Sequence, residues 1–166
     1  MPPGLMKVGV ISDTHDNLDA IKKAVKLFND EGVALVLHAG DFVAPFTAKP
    51  FSALNARLVG IFGNNDGDKL LLKERFEGGG VGELHEDPHE LKLGGRSVII
   101  THRPQIVNAL AKTYDVVIYG HTHQPEIRRE GGRLILNPGE CGGWLSGRRT
   151  VALLDVEKLE AELREL

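Results

Sequence analysis

The run Val116-Val117-Ile118-Tyr119-Gly120-His121-Thr122-His123 constrains this chain more than any other stretch. Its first four residues form a continuous, mostly β-branched apolar segment, as in strands buried on both faces. Such strands belong to α/β sheets, whose ligands collect just beyond the carboxyl ends of the strands. Gly120 then breaks the segment, and two histidines follow at i and i+2. In an extended segment that spacing sends both imidazoles to one side. Taken alone, a His-x-His pair is weak evidence, because two turn histidines on a surface look the same.

The pattern recurs. The predicted strand over residues 7–12 is followed by Asp13-Thr14-His15, that over 33–37 by Gly40-Asp41, and that over 57–62 by Gly63-Asn64-Asn65-Asp66. Residues 97–100 are followed by Thr101-His102. Oxygen and imidazole donors thus close five predicted strands, and only His38 lies inside one. Between them, Leu18, Ile21, Val25 and Phe28 recur at helical spacing after Asp16 or Asn17 as cap, with a stop at Glu31-Gly32. Residues 45–54, 68–76 and 104–113 are further predicted helices, the first bent or shortened by Pro50. Glycine-rich residues 78–82 read as a flexible turn. Hairpins are expected about Gly94-Gly95 and Gly131-Gly132, then a strand over 150–156. The tail, 159–166, fits an edge strand or a short helix equally well. The alternation of strands and helices, followed by hairpins, predicts an α/β layered fold with parallel and antiparallel pairing.

The chain has 166 residues, enough for one domain over 1–166 with a proper core. A net charge of −3 and 5% aromatic residues give no strong nucleic-acid signal. Cys141 is the single cysteine, so no internal disulfide is available and a reducing compartment fits. No stretch approaches the ~20 apolar residues of a spanning helix, and the expected location is cytoplasmic. Residues 1–5 read as a short disordered leader, with Met6 as an alternative start.

Asp13, His15, Asp41, Asn64, His102, His121 and His123 make seven donors. One zinc site needs three or four, so this set predicts two divalent ions sharing a bridge, with Asp41, central in the series, as the bridging carboxylate. Two aspartates against two dications leave excess positive charge, which lowers the pKa of a bridging water and attracts phosphate. Mixed nitrogen and oxygen ligands without thiolate suit manganese, iron, nickel or zinc better than calcium or copper(I); manganese is the expected metal, with nickel, iron, zinc or magnesium as alternatives.

Asp13-x-His15, Gly40-Asp41, Gly63-Asn64-x-Asp66, His102 and Gly120-His121-x-His123 together resemble the motif series of the calcineurin-like metallophosphoesterase superfamily. Asn137-Pro138-Gly139-Glu140 and the small size are similar to its compact archaeal and bacterial phosphodiesterase branch. The resemblance implies a four-layer αββα sandwich of two mixed sheets flanked by helices. It also implies one metal on Asp13, His15, Asp41 and His123, and the other on Asp41, Asn64, His102 and His121. The implied reaction is hydrolysis of a small phosphoester by a metal-activated hydroxide, with His102 or Asn64 orienting the phosphoryl oxygens. A homo-oligomer is compatible with it.

Two departures bear on chemistry. Relatives usually carry histidine after the ligand asparagine, whereas Asn65 here has no proton to give near neutral pH. Diesters or activated aryl esters are therefore expected over alkyl monoesters. Arg103 stands where relatives often have glycine, and pairs with a phosphate oxygen or lies solvated. The alternatives are a protein-binding scaffold on the same fold, as in a retromer subunit, or a nucleotidase or other phosphomonoesterase of the superfamily. The complete donor set argues against the first, and Asn65 against the second. Elsewhere, His38 reads as a core histidine and His85 and His89 as solvent-exposed. Asp66 reads as a helix cap or a partner of Asn65. Trp144 and Leu145 read as an exposed surface or part of the core.

Overall fold

The computed structural model describes residues 6–166, and the leader expected at residues 1–5 lies outside the described residues. Strands β1 (Lys7–Ile11), β2 (Leu35–His38), β3 (Arg57–Ile61) and β4 (Gly82–His85) run parallel in one sheet. β10 (Thr150–Asp155) and β11 (Glu160–Glu165) extend it antiparallel on the β1 side, giving the order β11-β10-β1-β2-β3-β4. The second sheet has the order β5-β6-β7-β9-β8, built from β5 (His89–Leu93), β6 (Arg96–Thr101), β7 (Val116–Tyr119), β8 (Glu126–Glu130) and β9 (Arg133–Asn137). Its two hairpins flank a parallel centre in which Thr101 pairs with Tyr119 and Ile118 with Leu136.

Period-2 alternation sorts side chains into layers. Val8, Val10, Leu37, Val59 and Ile61 face the second sheet, where Val98, Ile100, Val116, Ile118 and Leu136 meet them. The alternate residues Ile11, Val36 and Leu58 face outward under α1 (Leu18–Asp30), α2 (Ala48–Phe51) and α3 (Lys69–Lys73). Ile99, Val117 and Ile135 pack under α4 (Val107–Leu110). The arrangement is the expected αββα sandwich. β7 is buried on both faces, which is why its sequence is apolar without alternation.

α1 starts at Asn17, whose side chain accepts from Ala20 N at 3.2 Å while its amide donates to Gly142 O at 2.7 Å. The cap contributes about 1 kcal/mol, and the second bond ties the helix start to the loop after β9. Residues 45–54 shorten to a 3-10 turn, Pro45–Thr47, and the single turn of α2. Pro50 is tolerated there because the first amides of a helix lack intrahelical partners. β4 replaces part of the expected turn. It is an edge strand whose one buried residue is Leu84, so its sequence carries no period-2 signal. The tail resolves as β11, paired along its length with β10.

Candidate metal centre

The loops after β1, β2, β3, β6 and β7 meet at one edge of the sandwich. The β1 loop follows the β2 loop through Asp13 N to Gly40 O (3.0 Å) and His15 N to Asp41 O (3.2 Å). The second sheet joins through His121 N, which donates to Asp13 Oδ2 at 3.0 Å, and His102 Nδ1, 2.7 Å from Ala39 O. A carbonyl only accepts, so Nδ1 of His102 carries the proton and Nε2 is left for a ligand. The approach is close enough that glycine is required at the crossing points. A Cβ on Gly120 would collide with Ser12 Oγ, and one on Gly63 with the Asp41 carboxylate.

All seven predicted donors converge. Asp41 Oδ2 lies 3.3 Å from both His15 Nε2 and His102 Nε2, and Asp13 Oδ1 lies 3.6 Å from His15 Nε2 and 3.3 Å from His123 Nε2. Asn64 Oδ1 is 2.9 Å from His102 Nε2 and 3.0 Å from His121 Nδ1. Most of the carboxylate–imidazole separations are too long for good hydrogen bonds. They match the edges of a tetrahedral ligand shell, about 3.4 Å for bonds of ~2.1 Å. Asp13 Oδ1 and His15 Nε2 are buried without hydrogen-bond partners. The sets Asp13/His15/His123 and Asp13/Asp41/His102 each bring their donor atoms within 4.8 Å of one another. The residues fit divalent cations.

The backbone is strained to achieve this. Asp13, His15, Asp41, His121 and His123 all have positive φ, between 41° and 75°. Such conformations cost of order 1–3 kcal/mol each for residues other than glycine and persist only where the surroundings impose them. Asp66 supplies part of that constraint. Its carboxylate, 3% exposed, accepts from Gly63 N at 2.7 Å, Asp41 N at 3.0 Å and Val43 N at 2.7 Å, binding the β2 and β3 loops together. The helix cap expected of Asp66 is Asp68, which accepts from Leu71 N at 3.1 Å. Asn65 turns to Asp41, donating from its backbone N to Oδ1 (2.9 Å) and from Nδ2 to Oδ2 (2.8 Å).

Burial works against charge on Asp13, but His123 and His15 facing it hold its carboxyl well below the usual range. Burial likewise opposes charge on Asp41, and His102, His15 and the Asn65 N–H outweigh it. His15 is pushed up to about 10, chiefly by Asp13 and then by Asp41. In the metal-free protein the imidazolium thus takes the place of a cation. The His15 contribution to stability is complete below its ordinary 6.5 and is lost as pH rises through about 10. The Asp13 and Asp41 contributions hold above 3.8 and are lost on acidification below it. Thermal melts of metal-free protein are expected to show a maximum between about pH 4 and 6.5. The alkaline decline should flatten when metal replaces the proton; an identical decline with metal bound would contradict this account.

Glu140 is a residue whose part in the site sequence reasoning missed. It is 1% exposed, accepts from Leu145 N (2.9 Å) and Ser146 N (2.8 Å), and places Oε2 3.4 Å from His123 Nδ1. A carboxylate behind an imidazole fixes its tautomer and raises its basicity, so Glu140→Gln is expected to weaken metal affinity about 10–100-fold. Metal titration of the refolded variant checks this, and unchanged affinity would remove Glu140 from the site. The motif Asn137-Pro138-Gly139-Glu140 was the only trace of it in the sequence.

His38 is a core residue. Nδ1 accepts from Gly40 N at 3.1 Å, Nε2 faces Thr14 Oγ1 at 3.2 Å, the ring stacks on Phe42, and burial pushes its pKa down to about 3. His85 and His89, expected in solvent, instead stack on each other with centroids 3.7 Å apart and are half-buried. Burial raises the pKa of the Cys141 thiol, leaving it unreactive. Trp144 is exposed and its indole donates to His15 O at 3.0 Å, and Leu145 beside it is exposed too.

Residues 6–159 match the model of the calcineurin-like phosphoesterase superfamily domain. The chain is 42% identical over 159 residues to phosphodiesterase MJ0936 of Methanocaldococcus jannaschii, covering 93% of this chain and 96% of the relative. Its fold superimposes on a solved archaeal phosphodiesterase with a TM-score of 0.90 at 41% identity, covering 97% of this chain and 100% of that one. Vps29 from Chaetomium thermophilum, 16% identical with a TM-score of 0.68 over 96% of both chains, shares the fold alone. From its strand-end residues, its two-sheet architecture and these similarities, the chain belongs to the calcineurin-like phosphoesterase superfamily.

Proposed function

We propose that this chain is a phosphodiesterase acting through two divalent cations, and one observation carries the reading. Asp41 Oδ2 stands 3.3 Å from an imidazole of each half of the site, His15 and His102, as a bridging carboxylate must. Asp13, His15, Asp41 and His123 would hold one ion, and Asp41, Asn64, His102 and His121 the other. When bound, the pair supplies Lewis acidity, lowering the pKa of water and compensating phosphoryl charge. Asp41 would offset the repulsion between two such ions. His102, fixed through Nδ1 on Ala39 O, aims Nε2 into the site. With Asn64 it orients the phosphoryl group. Asn65 donates hydrogen bonds to Asp41 and has no titratable proton for a leaving group. A leaving oxygen must therefore depart without protonation from that position, which favours diesters and activated aryl esters over alkyl monoesters. The relative from Methanocaldococcus jannaschii is a phosphodiesterase, which supports the diester reading.

Manganese is the first metal to test, with nickel, iron, zinc and magnesium beside it. Chelation is expected to abolish hydrolysis of a bis-aryl phosphodiester, and two equivalents of Mn²⁺ to restore it. The matching alkyl monoester should be slower by roughly 10²-fold or more. Full diesterase activity in chelated protein that contains no metal would sink the proposal.

A further inference from the structure

We propose that Arg103 recognises the phosphoryl group of the substrate, and that its cleft selects a singly charged diester over a doubly charged monoester. The inference rests on the phosphodiesterase reading above and names the substrate charge class of that site. A cleft of about 320 Å³ is lined by Asn64, His102 and His121 together with Lys69, Glu86, Asp87 and Arg103. The guanidinium is loosely held. Its Nε lies 3.5 Å from Asp87 Oδ2 and Nη2 3.5 Å from Asp87 O, the long limit of a hydrogen bond.

Asp87 is committed elsewhere, accepting from Thr101 Oγ1 at 2.7 Å and from His102 N at 3.0 Å. A guanidinium has five donors in a planar fork suited to phosphate oxygens. Here most of that capacity is unspent beside the residues that face the reacting phosphorus. The second cation of the lining, Lys69, is paired with Glu86 at 3.1 Å and lies over the Phe62 ring. These four side chains thus set two cations against two carboxylates. A monoanion gains the guanidinium fork. A loaded metal pair would attract either anion, so the discrimination lies in these four side chains, where a dianion's second charge meets Glu86 and Asp87 with no surplus cation.

The test uses the full chain loaded with Mn²⁺ and reads binding by calorimetry at about pH 8, where inorganic phosphate is a dianion. The monoanionic probe is dimethyl phosphate. Arg103→Met is expected to weaken dimethyl phosphate about tenfold or more, with metal content and melting temperature unchanged. Arg103→Lys should recover part of the loss, since it keeps the charge without the fork. Glu86→Gln, which frees Lys69, should improve inorganic phosphate relative to dimethyl phosphate by about threefold.

Dimethyl phosphate binding unchanged in Arg103→Met overturns the inference. So does equal weakening of both probes accompanied by metal loss, the mark of a purely structural tie to Asp87. If the wild-type chain with metal neither binds dimethyl phosphate nor hydrolyses aryl diesters, the phosphodiesterase reading fails and takes this inference with it. A working wild type with an unaffected Arg103→Met fails only the present one.

Discussion

Asp41→Asn is expected to leave the fold intact, reduce metal content from two ions per chain to one or none, and lower diester hydrolysis by about 10³-fold. The asparagine tolerates the left-handed backbone at φ 64° and keeps an oxygen to accept from Asn65 N. Asp66 still receives the Asp41 N–H, so the clamp between the β2 and β3 loops survives. What is lost is negative charge between two cations, together with the oxygen that lies 3.3 Å from both His15 and His102. Charge stabilisation by a metal pair is worth several kcal/mol in the transition state, and each 1.36 kcal/mol is about tenfold in rate. Metal analysis by mass spectrometry and circular dichroism of the same preparation separate this outcome from unfolding. A variant that keeps two ions and more than about a tenth of the activity would contradict the bridging role.

Much of this site was legible because buried strands announce themselves. Residues 8–11, 58–61 and 116–119 are uncharged apolar runs rich in Val and Ile, and the steps Ser12-Asp13, Gly63-Asn64 and Gly120-His121 beyond them mark where the chain leaves the sheet. The donors at those exits converge because parallel strands bring their carboxyl ends to one edge. Less was legible where the role depends on which backbone amides come together in space. Asp66 looked like a helix cap, and its function as a three-amide clamp emerges only when the β2 and β3 loops are side by side. Glu140 is distant in sequence from His123 and meets it only through the turn after β9. β4 escaped notice because Glu83 and His85 flank its single buried leucine at a sheet edge. The tail stayed ambiguous because Leu159, Leu163 and Leu166 suit either period. Pairing with β10, a tertiary event, decides it.

Asn65→His is expected to raise alkyl phosphomonoester hydrolysis by about 10²–10⁴-fold, while hydrolysis of activated aryl diesters changes little. The two substrates differ in how much the leaving oxygen needs a proton. An activated aryloxide departs unaided, whereas an alkoxide does not, and general acid catalysis is worth most where the leaving group is poorest. The wild-type amide cannot supply that proton, and it is already spent in a 2.8 Å hydrogen bond to Asp41 Oδ2. A histidine at this position keeps the backbone N–H to Asp41 Oδ1, so the loop retains one of its two ties. Its ring brings a group with an ordinary pKa of about 6.5 to the edge of the site, close to the optimum for proton transfer near neutral pH. The diagnostic is the dependence of rate on leaving-group pKa across a series of monoesters. The wild-type chain should show a steep fall with poorer leaving groups, and the variant a shallower one. A variant with normal metal content whose slope and alkyl-monoesterase rate equal those of the wild type would show that the leaving group is served from elsewhere. In that case the asparagine is a structural partner of Asp41 alone.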